Sequence, residues 1–233
     1  MAFVAVALCL AAAGAAPPAL ARRSRPPTGA ERKRPDPPAD RAQQPSGAAA
    51  RLADWIIASD DNGRLPFMIV DKLAADVFAF DAQGAVVGHA PALVGLTPGD
   101  DSAPGVGDLP LSAIAPAERT TPAGRFVAFL GPSDGEGTVL WVDYPDAISM
   151  HPVITTNPKE HRLQRIRSAT PEDHRISFGC INVPAAFFHE VVVKDAVSSG
   201  WIVYVLPDTK PLTDVFPTFA ALDVSRSGAK ADP

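Results

Sequence analysis

The amino-acid sequence predicts a mainly β domain of the α+β class, with one or two short helices, over residues 51–208. Short runs rich in valine, isoleucine and aromatic residues recur along the chain, and clusters of Gly, Pro, Asp and Asn separate them. Only two stretches have apolar residues at helical spacing. Runs of this length and composition are typical of strands joined by turns. A segment of about 160 residues buries enough surface to fold without disulfides.

The first half of this domain contains one predicted helix and three predicted strands. The helix spans 50–59, where Leu52, Trp55 and Ile56 share one face and an Asp-Asp-Asn-Gly sequence ends it. Residues 97–110 are rich in Pro, Gly and Asp, which predicts a loop. The strands between helix and loop are predicted at 67–70, 76–80 and 85–94, the last ending at Gly95.

The second half adds further strands around a long polar segment. Residues 152–175 are polar and weakly patterned, which predicts a loop with a helical turn. A loop of that length in a compact domain is usually functional or mobile. The apolar runs predict strands at 125–130, 139–143, 147–150 and 201–206.

A second helix is predicted after Pro184, a residue that suits the first turn of a helix. Asn182 or Val183 would be its N-cap. The apolar residues expected to face the core are Phe187, Val191 and Val192.

The two ends of the chain are predicted to lie outside the folded domain. Residues 1–21 are apolar, carry no charged side chain and end in Ala-Leu-Ala, the pattern of a secretory signal peptide. An uncleaved anchor helix is the alternative, and Pro17 and Pro18 argue against it. Six prolines and few large apolar residues predict a disordered linker over 22–50, and 209–233 is predicted to be a loose tail. We therefore expect export to the periplasm or cell envelope.

Composition excludes several classes of protein. A formal net charge of -5 gives no general reason to expect nucleic-acid binding. No apolar run after the leader is long enough to cross a bilayer, so we expect no transmembrane domain in the mature chain. Two cysteines rule out a disulfide-rich scaffold.

Removal of the leader, and Cys9 with it, would leave Cys180 as the single cysteine. An unpaired thiol in an oxidising compartment indicates a chemical role, although a buried inert thiol is the alternative. Gly179 precedes it, and the predicted helix start follows it. Backbone N–H groups at such a position lower a thiol pKa, and those of Gly179 and Cys180 can form an oxyanion hole.

A nucleophilic thiol also needs a base, and histidine is the usual one. His151 follows an apolar strand, His161 and His174 lie in the polar loop, and His189 lies in the predicted helix. Spacing alone does not decide which of His151, His161 and His174 is the base. A metal site formed by these three histidines and Cys180 is the other interpretation, but their spacing matches no compact ligand pair.

The hexapeptide SFGCIN at 177–182 resembles the signature of the L,D-transpeptidase catalytic domain of the YkuD type, which is Ser-His-Gly-Cys, an apolar residue, then Arg or Asn. The sequence ISMH at 148–151 is similar to the strand that carries the family's catalytic histidine. Further similar segments are VDK at 70–72, Gly95, TPAGRF at 121–126 and GWIV at 200–203. The resemblance covers about 66–207 in the family's order. Phe178 stands where the family has histidine.

The resemblance implies an L,D-transpeptidase-like β-sandwich that needs no cofactor and no metal. It implies Cys180 as nucleophile and His151 as base and acid, with Gly179, Ser177 and Asn182 in oxyanion and positioning roles. The interval from His151 to Cys180 is longer than in many members, so His161 remains the alternative base.

The implied substrate is the stem tetrapeptide of peptidoglycan. Cysteine acyl transfer would release D-alanine and pass the acyl group to an amine, for cell-wall synthesis and cell shape. An amine on another stem gives a 3→3 cross-link, a lysine of an envelope lipoprotein gives anchoring, and water gives carboxypeptidase trimming. The sequence leaves the acceptor open.

A non-catalytic peptidoglycan-binding module is the competing class of protein. Three arginines near the site either bind substrate carboxylates or form a solvated face: Arg165, Arg167 and Arg175.

Overall fold

The computed structural model describes residues 44–194, 196 and 200–219. The predicted signal peptide, residues 22–43 of the predicted linker and residues 220–233 of the predicted tail lie outside the described residues. Among the described residues, no helix has the length and apolar character needed to cross a membrane.

Strands dominate the described residues, and the helices are short, which confirms the predicted fold class. The strands are β1 Phe67–Asp71, β2 Asp76–Phe80, β3 Val86–Pro91, β4 Val94–Gly95, β5 Gly124–Ser133, β6 Gly137–Asp143, β7 Ile148–Pro152, β8 Arg175–Ser177, β9 Ile181–Val183 and β10 Trp201–Val205. The α-helices are α1 Gly47–Ser59, α2 Arg162–Arg165, α3 Ala185–Phe187 and α4 Leu212–Val215. A π-helical segment, Phe188–Val193, continues α3. The 3-10 turns are Val106–Asp108, Leu111–Ala113, Pro116–Glu118, Pro158–Glu160 and Pro171–His174.

Eight strands form one sheet in the order β3-β2-β1-β10-β5-β6-β7-β9, and β4 pairs with β8 in a second sheet. Strand β10, the last strand in the chain, lies in the middle of the large sheet, parallel to β1 and antiparallel to β5. All five of its residues are buried, as expected for a strand covered on both faces. One apolar cluster joins side chains of β1, β2 and β10 to those of β6, β7 and β9, so the sheet encloses its main core.

A second apolar cluster lies on the opposite face of β1. Met68 and Val70 of β1 face the main core, whereas Phe67 and Ile69 pack against the buried face of α1. The predicted face of this helix is confirmed, because its buried residues are Ala49, Leu52, Trp55 and Ile56.

Two predicted boundaries differ from the structure. Helix α1 begins at Gly47, inside the predicted linker, because the Ser46 hydroxyl accepts a hydrogen bond from the Ala49 N–H and caps the helix. At the other end, Phe216 and Phe219 are buried in the α1 cluster. Residues 209–219 of the predicted loose tail are therefore part of the fold, since two aromatic side chains give them apolar surface to bury.

Two predicted elements are also corrected. The predicted strand 85–94 is interrupted, because Leu93 leaves the β2 pairing and exchanges backbone hydrogen bonds with Asn182. Asn182 and Val183 do not cap the second helix, since they lie in β9, paired with β7, and Pro184 precedes α3. Cys180 therefore precedes a strand and not a helix.

A buried cation joins four separate parts of the chain. The Lys72 ammonium donates to the carbonyl oxygens of Gly99 (2.5 Å) and Thr121 (2.8 Å). It also pairs with the carboxylates of Asp100 (3.0 Å) and Asp208 (3.5 Å), and the side chains of all three charged residues are almost completely buried. This buried ion cluster connects the end of β1 with the loop before β5 and with the segment after β10.

We predict that Lys72→Met lowers the free energy of unfolding by about 3–5 kcal/mol, because it leaves the buried Asp100 carboxylate without its cation, whereas Asp208 keeps Arg175. Urea denaturation measures the change. Lys210→Met is the matched control, since that ammonium pairs with the exposed Asp101 carboxylate. We expect only a small loss for the control. Equal losses in the two variants would contradict this account of the cluster.

The buried ion cluster also predicts the acid sensitivity of the fold. Burial raises the pKa of Asp100, but hydrogen bonds from the Thr209 hydroxyl and from the N–H groups of 208–210 outweigh it and hold that pKa far below its usual range. The stabilisation is therefore complete above the unfolded-state pKa, about 3.9, and is lost as the pH falls below it. Stability measured from pH 6 to pH 2 should fall less steeply in Asp100→Asn than in the wild type.

Candidate active site

Cys180 lies between β8 and β9, half-buried, and its sulfur rests against the beginning of β7. The Ser149 hydroxyl donates to Cys180 Sγ at 3.5 Å, and the thiol reaches the Ala147 carbonyl at 3.6 Å. Cys180 is the free cysteine of the described residues. A thiol that is held by polar contacts and still reached by solvent can react with a bound substrate.

The turn that carries Cys180 is closed by Ser177. The Ser177 hydroxyl donates to the Cys180 carbonyl at 2.6 Å and accepts from the Gly179 N–H at 3.1 Å. The Gly179 N–H is therefore already bound to Ser177, whereas the predicted oxyanion hole needs it together with the Cys180 N–H. That role of Gly179 stays a prediction. Of the Gly179 and Cys180 N–H groups, the Cys180 N–H remains as the candidate hydrogen-bond donor to an oxyanion.

Gly179 is required here by its conformation and its surroundings. Its φ is +130°, and a Cβ at this position would lie 2.9 Å from the Thr120 carbonyl oxygen. The Thr121 hydroxyl donates to the Gly179 carbonyl at 2.7 Å and accepts from the Gly95 N–H. Since the Thr121 carbonyl binds Lys72, this contact connects the turn to the buried ion cluster.

His151 lies in β7, two residues after Ser149, so both side chains share the face of the strand opposite the core residue Met150. Its Nδ1 lies 2.8 Å from the Pro152 carbonyl, which can only accept a hydrogen bond. Nδ1 therefore carries a proton, and Nε2 is the nitrogen that faces Asn182 and Glu136.

The thiol and the imidazole shift each other's ionisation in opposite directions. Burial raises the pKa of the Cys180 thiol, but hydrogen bonding and charge attraction to His151, together with Ser149, outweigh it and lower the pKa. Burial lowers the pKa of His151, but Cys180, Glu136 and the Pro152 carbonyl outweigh it and raise the pKa. Both shifts favour a thiolate–imidazolium pair.

Asn182 pairs with His151 across β7 and β9, and its amide is fixed from both ends. Its Oδ1 accepts from Arg162 Nη1 at 2.5 Å, and its Nδ2 lies 3.3 Å from His151 Nε2 and 3.4 Å from the Cys180 carbonyl. Because guanidinium only donates, this contact decides which way the amide points. The Glu160 carboxylate holds the same guanidinium at 2.5 Å.

Three parts of this site were not predicted from the sequence. One is Arg162, which contacts Asn182. Another is Glu136, in the distant turn between β5 and β6, whose Oε2 lies 4.0 Å from His151 Nε2. The third part is aromatic. Register places Phe129 beside Trp141 and Trp141 beside Ser149, so this row lies on the face where Ser149 meets the sulfur. The alternating pattern of β5 and β6 could have indicated this aromatic row. It could not have indicated that the row lies beside Ser149.

The other histidines lie apart from the sulfur's contacts. His161 is exposed and lines a surface groove. His174 is buried, with its two ring nitrogens facing the carbonyls of Ala92 and Ser168. His189 is exposed on the π-helical segment. His151 is thus the histidine that lowers the pKa of the Cys180 thiol, and the choice of His151 over His161 as the base stays a prediction.

Two further residues have defined partners. Arg175 pairs with Asp208 of the buried ion cluster at 2.8 Å, so its charge is already neutralised. The ring of Phe178 lies 4.0 Å below the Arg119 guanidinium, and two nitrogens of that group donate to the Ile114 carbonyl. A phenyl ring attracts a cation on its face, whereas a protonated histidine there would repel it.

No group of three His, Cys, Asp or Glu side chains within the described ranges is placed to hold a metal ion.

Several solved structures resemble this chain at low identity. The catalytic domain of the Enterococcus faecium L,D-transpeptidase has 18% identity and a TM-score of 0.36 over 60% of this chain and 96% of that one. The avibactam carbamoyl enzyme of Ldtfm has 15% identity and a TM-score of 0.37, and the match spans 48% of its length. The Campylobacter jejuni cell-shape-determining protein Pgp2 has 11% identity and a TM-score of 0.41 over 77% of this chain and 64% of that one. Such low similarity does not by itself assign an activity.

No protein-family model and no curated protein matches the chain.

The paired pKa shifts predict how Cys180 reacts with iodoacetamide. The rate of alkylation should rise with pH. The midpoint of this rise should lie below the pKa of an ordinary thiol, which is about 8.5. His151→Ala removes the charge that stabilises the thiolate, so its midpoint should move to higher pH. His161→Ala is the control and should leave the midpoint in place. A shift in His161→Ala without one in His151→Ala would make His161 the partner of the thiol.

Proposed function

We propose that this chain is an L,D-transpeptidase that acts on peptidoglycan stem peptides by cysteine acyl transfer. The observation that carries it is the half-buried Cys180, whose thiol pKa is lowered by a histidine held on the adjacent strand. The hexapeptide 177–182 adds support, since it resembles the family's signature around its nucleophile. The activity needs export, so the proposal includes a location in the periplasm or cell envelope.

In the first half-reaction, the Cys180 thiolate attacks the carbonyl carbon between the third residue of the stem, a diamino acid, and the terminal D-alanine. A C–S bond forms, and the C–N bond then breaks. His151 gives its Nε2 proton to the departing amine, so D-alanine leaves with a neutral amino group and a thioester remains on the enzyme.

In the second half-reaction, an amine attacks the thioester carbon and His151 takes the proton that the amine loses. The new C–N bond forms, the C–S bond breaks, and the thiolate is restored. An amine on a second stem would give a 3→3 cross-link, and a lipoprotein lysine would give anchoring. Attack by water would instead make the chain a carboxypeptidase with the same cysteine and histidine.

The surrounding residues have supporting roles in this proposal. The Cys180 N–H is the backbone donor for the developing oxyanion, because the Gly179 N–H is bound to Ser177. Ser177 positions the turn, and Asn182 positions the imidazole. The Phe178–Arg119 stack forms part of the wall beside the turn, so the loss of the family histidine leaves the cysteine and its base in place.

Intact-mass spectrometry tests the reaction. After incubation with a disaccharide-tetrapeptide or a carbapenem, the wild type should gain a covalent adduct, and the tetrapeptide should release free D-alanine. Cys180→Ser should form no adduct. His151→Ala should lower kcat/KM by roughly 10²–10⁴-fold, the usual contribution of a general base.

His161→Ala is the matched control and should keep nearly full activity. Folded wild-type protein that binds the tetrapeptide but forms no adduct and releases no D-alanine would contradict the enzyme and favour a peptidoglycan-binding module. The soluble products would distinguish cross-linking from hydrolysis.

A further inference from the structure

A surface groove of about 880 Å³ lies along the segment between β7 and β8. Its cationic lining residues are Arg162, Arg165 and Arg167, and Asp173 is its one acidic lining residue. Residues 152–175 carry five Lys or Arg and three Asp or Glu, whereas the whole chain has a net charge of -5. The groove is thus a basic surface on an acidic protein.

Two of the groove's guanidinium groups keep their positive charge available. Arg165 donates to the carbonyl oxygens of Glu160 (3.0 Å) and Asp173 (2.8 Å), which hold the group in place without neutralising it. Arg167 is exposed. Among the described residues, no carboxylate oxygen lies within 4.0 Å of either group, whereas Arg162 and Arg175 both have acidic partners.

The groove adjoins the candidate active site through a single side chain. Arg162 lines the groove and also donates to Asn182, which contacts both His151 and the Cys180 carbonyl. The groove and the contacts of His151 and Cys180 are therefore connected through Arg162 and Asn182.

We propose that this groove binds the free carboxylates of the stem peptide, with Arg165 and Arg167 as the binding side chains; the inference rests on the proposed function. A guanidinium and a carboxylate form two parallel charge-assisted hydrogen bonds, which gives both affinity and orientation. Of the three arginines singled out in the sequence, Arg175 has no part in this role, because Asp208 already neutralises it.

Equilibrium binding to the Cys180→Ser protein tests this site without any need for turnover. The two ligands are a synthetic stem tetrapeptide with free carboxylates and the same peptide with those groups converted to carboxamides. We expect the free-acid peptide to bind about tenfold more tightly, as a charge-assisted hydrogen bond predicts. That preference should weaken as salt is added.

Arg167→Ala, and Arg165→Ala together with Arg167→Ala, should each reduce the preference, and the double variant should abolish it. Arg167 is exposed, so its replacement leaves the fold intact. Lys159→Ala is the matched control: it removes the same charge from the same segment, but Lys159 does not line the groove, and the preference should remain.

Equal binding of the two peptides, or an equal loss in Lys159→Ala, would overturn the carboxylate site. D-alanine release by the wild type separates this result from the proposed reaction. A preference for the free acid without any release would overturn the transpeptidase and keep the groove. Release without a preference would overturn the groove and keep the transpeptidase.

Discussion

The buried Lys72 ammonium is the interaction on which the rest of the structure depends. Its partners come from the loop before β5 and from the segment after β10, so one cation holds together parts of the chain far apart in sequence. A buried charge is tolerable only when every partner is in place. Thr121 then extends the restraint to Gly179, and the turn that carries Cys180 is fixed by the same cluster.

Strand pairing supplies the second restraint on the site. The parallel register of β7 and β9 sets His151 beside Asn182, and the residue before β9 is Cys180. Alternation along β7 puts Ser149 and His151 on the face away from the core, where the sulfur lies. The thiol, the imidazole and the amide thus meet because two neighbouring strands, β7 and β9, are paired in this register.

The long segment between β7 and β8 serves both the fold and the site. His174 fixes it to the backbone before β4, and Arg162 reaches from it to the amide beside the imidazole. Such contacts give a segment with little regular structure a defined position, as functional loops usually require. Arg162 also lines the groove that this segment forms.

The sequence by itself determined the mainly β character, the bounds of β2 and the buried face of α1, because these depend on local periodicity. Residue chemistry singled out Cys180, whereas spacing left His151, His161 and His174 open and the family resemblance favoured His151. Only the tertiary structure decided that β10 lies in the middle of the sheet, that Asn182 belongs to a strand, and that Ser177 occupies the Gly179 N–H. Arg162 and Glu136 likewise join the site only in three dimensions. Each of these depends on partners distant in the chain, and local pattern contains no information about which distant groups will satisfy a backbone amide or a buried charge.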